Sequence, residues 1–289
     1  MTQTIGFVTD STSDVPVQVA EKFGVDVVPA MIMFGGRSYR DGVDISRAEL
    51  YRRMVAERIL PTTSSPSVGA FEQAFDSMLS RGVEKILSLH PAASLSGIFN
   101  SACVAASKFP GRVEVMDSGQ VSMGTGFLIL RAAEAAVQGA PMDALKKIVS
   151  DAQPRVRLTA LLESLTHLAH SGRINSLLAG IGNFLQIKLL ISLYQGTVSR
   201  VAQVRTETRG VTALLEYVRS WGPVETIAVA HANARQLADE LIPRLSGVIQ
   251  GWNRTVQEKT YVIEVTPAIG VHIGPGAVGV IAVTAPRSA

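Results

Sequence analysis

Short apolar runs alternate with amphipathic segments along the first half of the chain. The apolar runs, which predict strands, cover residues 4–9, 25–34, 83–89 and 113–116. The amphipathic segments, which predict helices, cover residues 16–23, 46–57, 68–81, 98–108 and 121–138. Strands that alternate with helices are typical of a parallel sheet with crossover helices. The sequence therefore predicts an α/β fold with a parallel-sheet domain at the N-terminus.

A second α/β domain is predicted after this one. Gln153-Pro154-Arg155 is the strongest boundary signal, and it divides the chain into domains 1–153 and 154–289. The second domain contains a predicted hairpin at 189–204 that turns at Gln195-Gly196. Its other predicted elements are helices at 206–221 and 234–246, a strand at 226–230 and a strand-rich tail at 261–284. We expect its sheet to be mostly antiparallel or mixed.

Composition and charge exclude several classes of protein. The chain has 289 residues, 47% apolar and 18% charged, which excludes an intrinsically disordered protein. Its most apolar stretch, residues 177–194, is interrupted by Asn183, Gln186 and Lys188, so no membrane span is predicted. The first residues lack the basic region of a secretory signal, and the cytoplasm is the expected location. The net charge of +3 comes from interspersed acidic and basic residues, which disfavours nucleic-acid binding.

Three predicted strand ends are followed by short polar side chains, at residues 10–14, 61–67 and 91–97. Ligands of open α/β sheets bind beyond the carboxyl ends of strands, so we expect these loops to converge on one site. Ser96-Gly97 lies at a predicted helix start, where an anion is favoured, and the alternative is that Ser96 only caps the helix. His272 lies in a glycine-rich segment, where the backbone can approach a ligand closely.

Two short patterns resemble known binding motifs, but the sequence around each does not support such a site. Residues 274–279 fit the G-x-G-x-x-G pattern, but a predicted strand follows where a dinucleotide site needs a helix. His167 and His170 stand three residues apart, but no Cys or acidic partner follows at a zinc-like spacing. The sequence therefore predicts neither a nucleotide site nor a metal site.

Seven short strings occur in the order seen in the DegV family, which the chain resembles over nearly its whole length. They are FVTDSTSD at 7–14, YRDGVD at 39–44, TSSPS at 63–67, LSG at 95–97, SGRI at 171–174, QIK at 186–188 and HIGPGA at 272–277. Each string is weak alone, whereas all seven in order are specific. Within the family, the chain is similar to the fatty-acid-binding subunits of bacterial fatty acid kinase.

The resemblance implies two domains with a ligand tunnel at their junction, where an acyl chain is buried and its carboxylate is held. The positions that match the carboxylate-binding residues are Thr63, Ser64, Ser96, Gly97, Arg173 and His272. By the same resemblance, Arg205 and Lys188 serve the edge of the site or the docking of a kinase partner.

The function implied by the resemblance is that of a carrier. The protein would bind a long-chain fatty acid, present it to a separate ATP-binding kinase subunit and carry the acyl phosphate toward phospholipid synthesis, with transient contact at a membrane surface. It would need no cofactor and would not itself catalyse. One alternative is an esterase or acyltransferase in which His272 activates Ser96. Another is a kinase-like or sugar-binding module, which the lack of a nucleotide-phosphate loop disfavours.

The chain departs from the family pattern beside the expected head-group site. Ala92-Ala93 replaces a common Ser-Ser, Ile98 replaces a Thr, and Ser65 replaces a Gln. The principal hydroxyls are retained. The departures bear on secondary hydrogen bonds around the head group and on the preferred length of the acyl chain.

Overall fold

The computed structural model describes residues 4–57, 59–172, 187–258 and 260–286. Its strands are β1 (Ile5–Asp10), β2 (Val25–Val28), β3 (Met31–Phe34), β4 (Arg37–Arg40), β5 (Thr62–Ser64), β6 (Lys85–His90), β7 (Val113–Asp117), β8 (Val156–Leu162), β9 (Lys188–Tyr194), β10 (Thr197–Val204), β11 (Val224–His231), β12 (Thr260–Glu264) and β13 (Val278–Thr284). Its helices are α1 (Val17–Phe23), α2 (Arg47–Glu57), α3 (Val68–Ser80), α4 (Ile98–Ala106), α5 (Met123–Val137), α6 (Met142–Ala152), α7 (Thr166–Ser171), α8 (Glu207–Arg219), α9 (Arg235–Ser246), α10 (Arg254–Glu258) and α11 (Pro267–Ile273).

Strands β2, β1, β6 and β7 form a parallel sheet in that order. Helices α3 and α4 cover one face, where Phe71, Phe75 and Ala102 are fully buried. Helix α5 covers the other face, where Leu128 belongs to the largest core cluster. Because both faces are covered, the two central strands, β1 and β6, are buried along nearly their whole length. The predicted parallel sheet is confirmed.

The prediction of one strand at 25–34 is wrong, because this segment contains two strands in different sheets. Pro29 separates them and has no N–H to donate to a ladder. After it, β3 pairs antiparallel with both β4 and β5. The predicted loop at 61–67 likewise contains β5, in which Thr63 lies opposite Ile32 of β3. A strand of three residues that consists of Thr and Ser has no apolar pattern to reveal it.

Strands β10, β9, β8, β13, β11 and β12 form a mixed sheet in that order, with β11 and β12 the parallel pair. This sheet confirms the predicted class of the second part of the chain. The predicted hairpin is also confirmed, and both turn residues have positive φ, 47° at Gln195 and 75° at Gly196. Strand β8 follows the boundary signal directly and was not predicted. The domain division after residue 153 stays a prediction.

The tail at 261–284 contains a helix, α11, which corrects the prediction of a strand-rich segment. Pro267 occupies the first helical position, where its missing N–H costs nothing. Gly274, at a φ of 76°, ends the helix. His272 therefore lies in the last turn of a short helix.

The two faces of the mixed sheet have different neighbours, because side chains alternate along each strand. Leu161 and Leu190 face α8 and α9 in a core of their own. Leu158 and Ile191 face the opposite way and join the core that includes α5. In the described ranges, each helix falls short of the length and apolar character needed to cross a bilayer.

Candidate functional site

A largely apolar cavity lies between the carboxyl ends of the parallel strands and the inner face of the mixed sheet. Its volume is about 200 Å³. Strands of the mixed sheet contribute aliphatic side chains to its wall, among them Leu158, Ile191, Leu193, Ala230 and Ile281. Apolar walls leave a water molecule few partners, so this space suits an apolar ligand.

Polar side chains are concentrated where the loops of the N-terminal part meet α11. Thr63 Oγ1 lies 2.9 Å from His272 Nε2, within hydrogen-bond distance. Thr63 is held by the pairing of β5 with β3, and His272 by the last turn of α11. Both line the cavity, as do Ser64, Ser96 and Gly97. The structure thus brings together five of the six residues predicted to bind a carboxylate.

Ser96 both caps a helix and lines the cavity, the two alternatives that its sequence context suggested. Its Oγ accepts a hydrogen bond from the N–H of Ile98, at 3.3 Å, and so caps the start of α4. It also lines the cavity. Gly97 is exposed, and a Cβ there would lie 3.2 Å from Ser65 Oγ. A larger residue at Gly97 would crowd the loop that carries Thr63 and Ser64.

The other three residues predicted for the site are not found in the cavity wall of the described structure. Arg173, the sixth residue predicted to bind the carboxylate, lies outside the described residues. Lys188 forms an ion pair with Glu163, its side chain is only 13% exposed, and it does not line the cavity. Arg205 is exposed after the end of β10 and likewise lies off the cavity wall. A role of these two residues at the edge of the site or in docking stays a prediction.

Two glycines after His272 are required by close packing. A Cβ on Gly274 would lie 2.5 Å from His167 Cδ2, and one on Gly276 would lie 2.9 Å from Glu163 Cβ. Both residues also have positive φ, 76° and 88°. The glycine pattern therefore packs α11 against its neighbours. Burial lowers the pKa of His167, and no cluster of potential metal ligands occurs in the described ranges.

Several hydroxyl-bearing residues of the cavity wall were not assigned a binding role from the sequence, among them Thr12 and Ser122. Thr12 Oγ1 donates to Asp10 Oδ1 at 2.5 Å, and Ser122 Oγ donates to Asp14 Oδ2 at 2.5 Å. Ser122 has a φ of 54°, an unfavourable conformation for a residue with a side chain. Thr12 belongs to the polar loop at 10–14 that was expected at the site, although no role was assigned to its side chain. Ser122 had no comparable signal.

A buried chain of hydrogen bonds leads from Thr12 through Asp10 and His90 to Ser88. His90 Nδ1 lies 2.7 Å from Asp10 Oδ2, and His90 Nε2 lies 2.7 Å from Ser88 Oγ. The order Ser, His, Asp matches that of a catalytic triad. All three side chains are fully buried, however, so Ser88 cannot meet a substrate. The chain of bonds instead fixes Asp10, which accepts from Thr12.

Two further carboxylates, Asp14 and Asp41, are buried close to the cavity wall. Burial raises the pKa of each to about 6, because removal from water penalises the charged form. The guanidinium of Arg47, 4.0 Å from Asp14 Oδ1, acts against this rise at both carboxylates. Neither aspartate was singled out from the sequence as a site residue.

Comparison with known proteins gives the same picture along the whole chain. The family model described as "Uncharacterised protein, DegV family" matches residues 4–285. A DegV domain-containing protein of Streptomyces coelicolor is 33% identical over 286 residues, which cover 97% of this chain and 99% of that protein.

Two solved structures have both a similar sequence and a similar fold. A DegV family protein from Thermus thermophilus, described by its fatty acid binding, matches with a TM-score of 0.85 and 30% identity, over 97% of this chain and 99% of that one. DegV from Bacillus subtilis, described as a fatty acid binding protein, matches with a TM-score of 0.84 and 27% identity, over 98% and 99%.

Proposed function

We propose that this chain, which belongs to the DegV family, binds a long-chain fatty acid and presents its carboxylate to a separate ATP-dependent kinase. The observation that carries the proposal is one cavity with aliphatic walls and a polar cluster around Thr63 and His272. Fatty acid binding by the Thermus and Bacillus relatives supports it. The protein keeps the acyl phosphate that forms, and serves as a carrier.

The acyl tail supplies most of the affinity. Burial of about 14 methylenes at ~0.8 kcal/mol each gives on the order of 11 kcal/mol, before the cost of immobilising a flexible chain. The walls that receive the tail come from both proposed domains, 1–153 and 154–289. Leu95 and Ile98 belong to the first, and Leu158 and Ile191 to the second.

The head group needs hydrogen-bond donors, because an unpaired carboxylate is costly to remove from water. Hydroxyls of Thr63, Ser64 and Ser96 and the backbone N–H of Gly97 supply neutral donors. His272 and Arg173 complete the set proposed for the carboxylate. Charge-assisted hydrogen bonds of this kind are about twice as strong as neutral ones.

Phosphoryl transfer requires that the carboxylate be reachable from outside. Ser64 and Gly97 are exposed, which supports a head group at the cavity mouth. A carboxylate oxygen attacks the γ-phosphorus of ATP held by the kinase, the bond from that phosphorus to the β–γ bridging oxygen breaks, and ADP leaves. Arg205 and Lys188 are proposed for the edge of this mouth or for the docking of the kinase. A cytoplasmic location and brief contact with a membrane surface belong to the same proposal.

Lipid extraction tests the proposal directly. Protein purified from cells and extracted with organic solvent should release about one equivalent of long-chain fatty acid, measured by mass spectrometry. Ala160→Phe, which fills the cavity from its wall, should release far less. Val104→Phe, at an exposed position, is the matched control and should retain the acid. Recovery of no fatty acid from the wild-type protein, together with no uptake of added palmitate, would refute the proposal.

A further inference from the structure

Helix α11 carries His272 into the cavity wall, yet it has no cap of its own. Thr266, the residue before the helix, makes no capping hydrogen bond with its side chain. The first N–H groups of a helix need acceptors from elsewhere in such a case. Two carboxylates from distant parts of the chain provide them.

We infer that Asp14 and Asp41 are positioning residues for His272. Asp14 Oδ1 accepts from the N–H of Thr266 at 2.7 Å, and Asp41 Oδ2 accepts from the N–H of Ala268 at 3.3 Å. Negative charge at this end of a helix also interacts favourably with the helix dipole. The binding consequence of this inference rests on the proposed function, whereas the positioning of the imidazole does not.

The length of α11 makes its orientation depend on these contacts. It has seven residues, and so short a helix has little stability of its own. His272 follows Thr266 by six positions, about 9 Å along the axis, so a small tilt at the start moves the imidazole. Tyr51 packs against the middle of the helix, where a Cβ on Gly270 would overlap its hydroxyl. The aspartates thus fix one end of a helix that is closely packed beyond it.

The same carboxylates also hold other parts of the cavity wall. Asp14 accepts from Ser122, as described above, and Asp41 Oδ2 accepts from Ser11 Oγ at 2.7 Å. Ser11 Oγ in turn accepts from the N–H of Ala30, at 3.0 Å. Ser122 and Ala30 both line the cavity. Asp14 and Asp41 therefore hold three segments of the cavity wall in place: α11, the segment at Ser122 and the segment at Ala30.

The burial of these carboxylates and the backbone conformations beside them cost free energy of folding, which supports a role other than stabilising the fold. Both carboxylates are buried, and Asp14 and Ser122 adopt φ angles of 55° and 54°. Such conformations cost on the order of 1–3 kcal/mol each and are found most often at functional sites. The two aspartates therefore serve to position α11 and His272 rather than to stabilise the fold.

The test compares His272 in the ligand-free protein across matched variants. Asp14→Ala and Asp41→Ala remove an acceptor each, whereas Asp14→Asn and Asp41→Asn keep an oxygen that can accept the same N–H. Asp44→Ala is the control, because Asp44 is an exposed carboxylate that bonds Arg40 on the surface. The readouts are the imidazole chemical shifts of His272 by NMR and the affinity for palmitate.

In both Ala variants we expect the His272 signals to move and palmitate affinity to fall at least tenfold. The Asn variants should recover most of both, and the signals of the exposed His170 should stay unchanged throughout. Folded Ala variants with unmoved His272 signals would overturn the inference. A wild-type protein that binds no palmitate would instead refute the proposed function, since the NMR comparison needs no ligand.

A backbone variant keeps the test decisive if an Ala variant fails to fold. Thr266→Pro deletes the N–H that Asp14 accepts, and the φ of −60° at this position suits proline. It should move the His272 signals as Asp14→Ala would. Signals identical to those of the wild type would overturn the role of Asp14.

Discussion

Thr63 Oγ1 and His272 Nε2 lie 2.9 Å apart, although 209 positions separate the two residues in the chain. The contact joins a three-residue strand to the last turn of a seven-residue helix. Each element is too short to hold a fixed position alone, so the pair depends on the packing of both halves of the protein around the cavity.

Removal of the Thr63 hydroxyl should weaken fatty acid binding. Thr63→Val keeps the shape of the side chain, and we expect palmitate affinity to fall about fivefold, or about 1 kcal/mol, the usual contribution of a hydrogen bond. A double-mutant cycle with His272→Gln, measured by calorimetry, should give a coupling of similar size. Thr62→Val, at the exposed neighbouring position, is the control. Additive effects of Thr63→Val and His272→Gln would contradict the pairing.

Ser96→Ala should reduce retention of the acid while the fold stays intact. The variant loses a donor to the carboxylate and a weak cap on α4, and we expect a decrease of about five- to tenfold in affinity. Ser107→Ala, at the other end of α4, is the control. Hydrolysis of an activated acyl ester by the wild type, lost in Ser96→Ala, would favour the esterase alternative. Unchanged binding would move the carboxylate site elsewhere.

Arg205→Ala should separate binding from phosphoryl transfer. Arg205 is exposed and lies off the cavity wall, so the bound lipid should remain. Acyl phosphate formation by the partner kinase should fall at least tenfold, because loss of a docking cation weakens the encounter. Arg200→Ala, another exposed arginine on the same hairpin, serves as control. A parallel loss of lipid would show that Arg205 holds the ligand.

Gly274→Ala should destabilise the protein more than Gly139→Ala. Both glycines have positive φ, 76° and 87°, and Gly274 combines it with a ψ of 160°, a conformation essentially restricted to glycine, so Gly274→Ala carries strong backbone strain. At Gly274 the added methyl also meets His167 at 2.5 Å, whereas at Gly139 it meets no described atom within 4 Å. We expect the free energy of unfolding in urea to fall by about 1–2 kcal/mol more for Gly274→Ala. Equal losses would contradict the prediction.

The buried Asp14 predicts a stability that decreases with rising pH. Its pKa is about 6 in the folded protein against an ordinary 3.8, so between these values the folded state holds more protons than the unfolded state. The free energy of unfolding should therefore fall by up to about 3 kcal/mol as the pH rises from 4 to 7.

Asp14→Asn should remove this part of the pH dependence, as measured by urea unfolding at several pH values. Asp44→Asn is the control, because Arg40 lowers the pKa of Asp44 to about 2 and places its titration outside the window. Parallel stability curves for Asp14→Asn and the wild type would contradict the prediction.

The sequence predicted the elements that have strong periodicity and the loops that follow parallel strands. Local signals predicted that the loops of Thr63 and Ser96 converge, whereas the place of His272 beside them was predicted only by the resemblance to the DegV family. The sequence did not predict that Asp14 caps a helix 252 positions away, since the choice of such a partner is made by the tertiary fold. The segment at 25–34 shows the same limit, because apolar residues on both sides of Pro29 concealed the change of sheet that occurs there.

The cavity is continuous with the largest core cluster, since Leu158 and Ile191 belong to both. An acyl chain bound in that space would therefore pack as part of the hydrophobic core as well as being a ligand. Under the proposed function, binding of the acid would complete the packing between the two halves of the protein, and at a thousand times its Kd a ligand stabilises the folded state by about 4 kcal/mol. Release of the bound acid would then remove this stabilisation, which would couple unloading to the rigidity of the whole molecule.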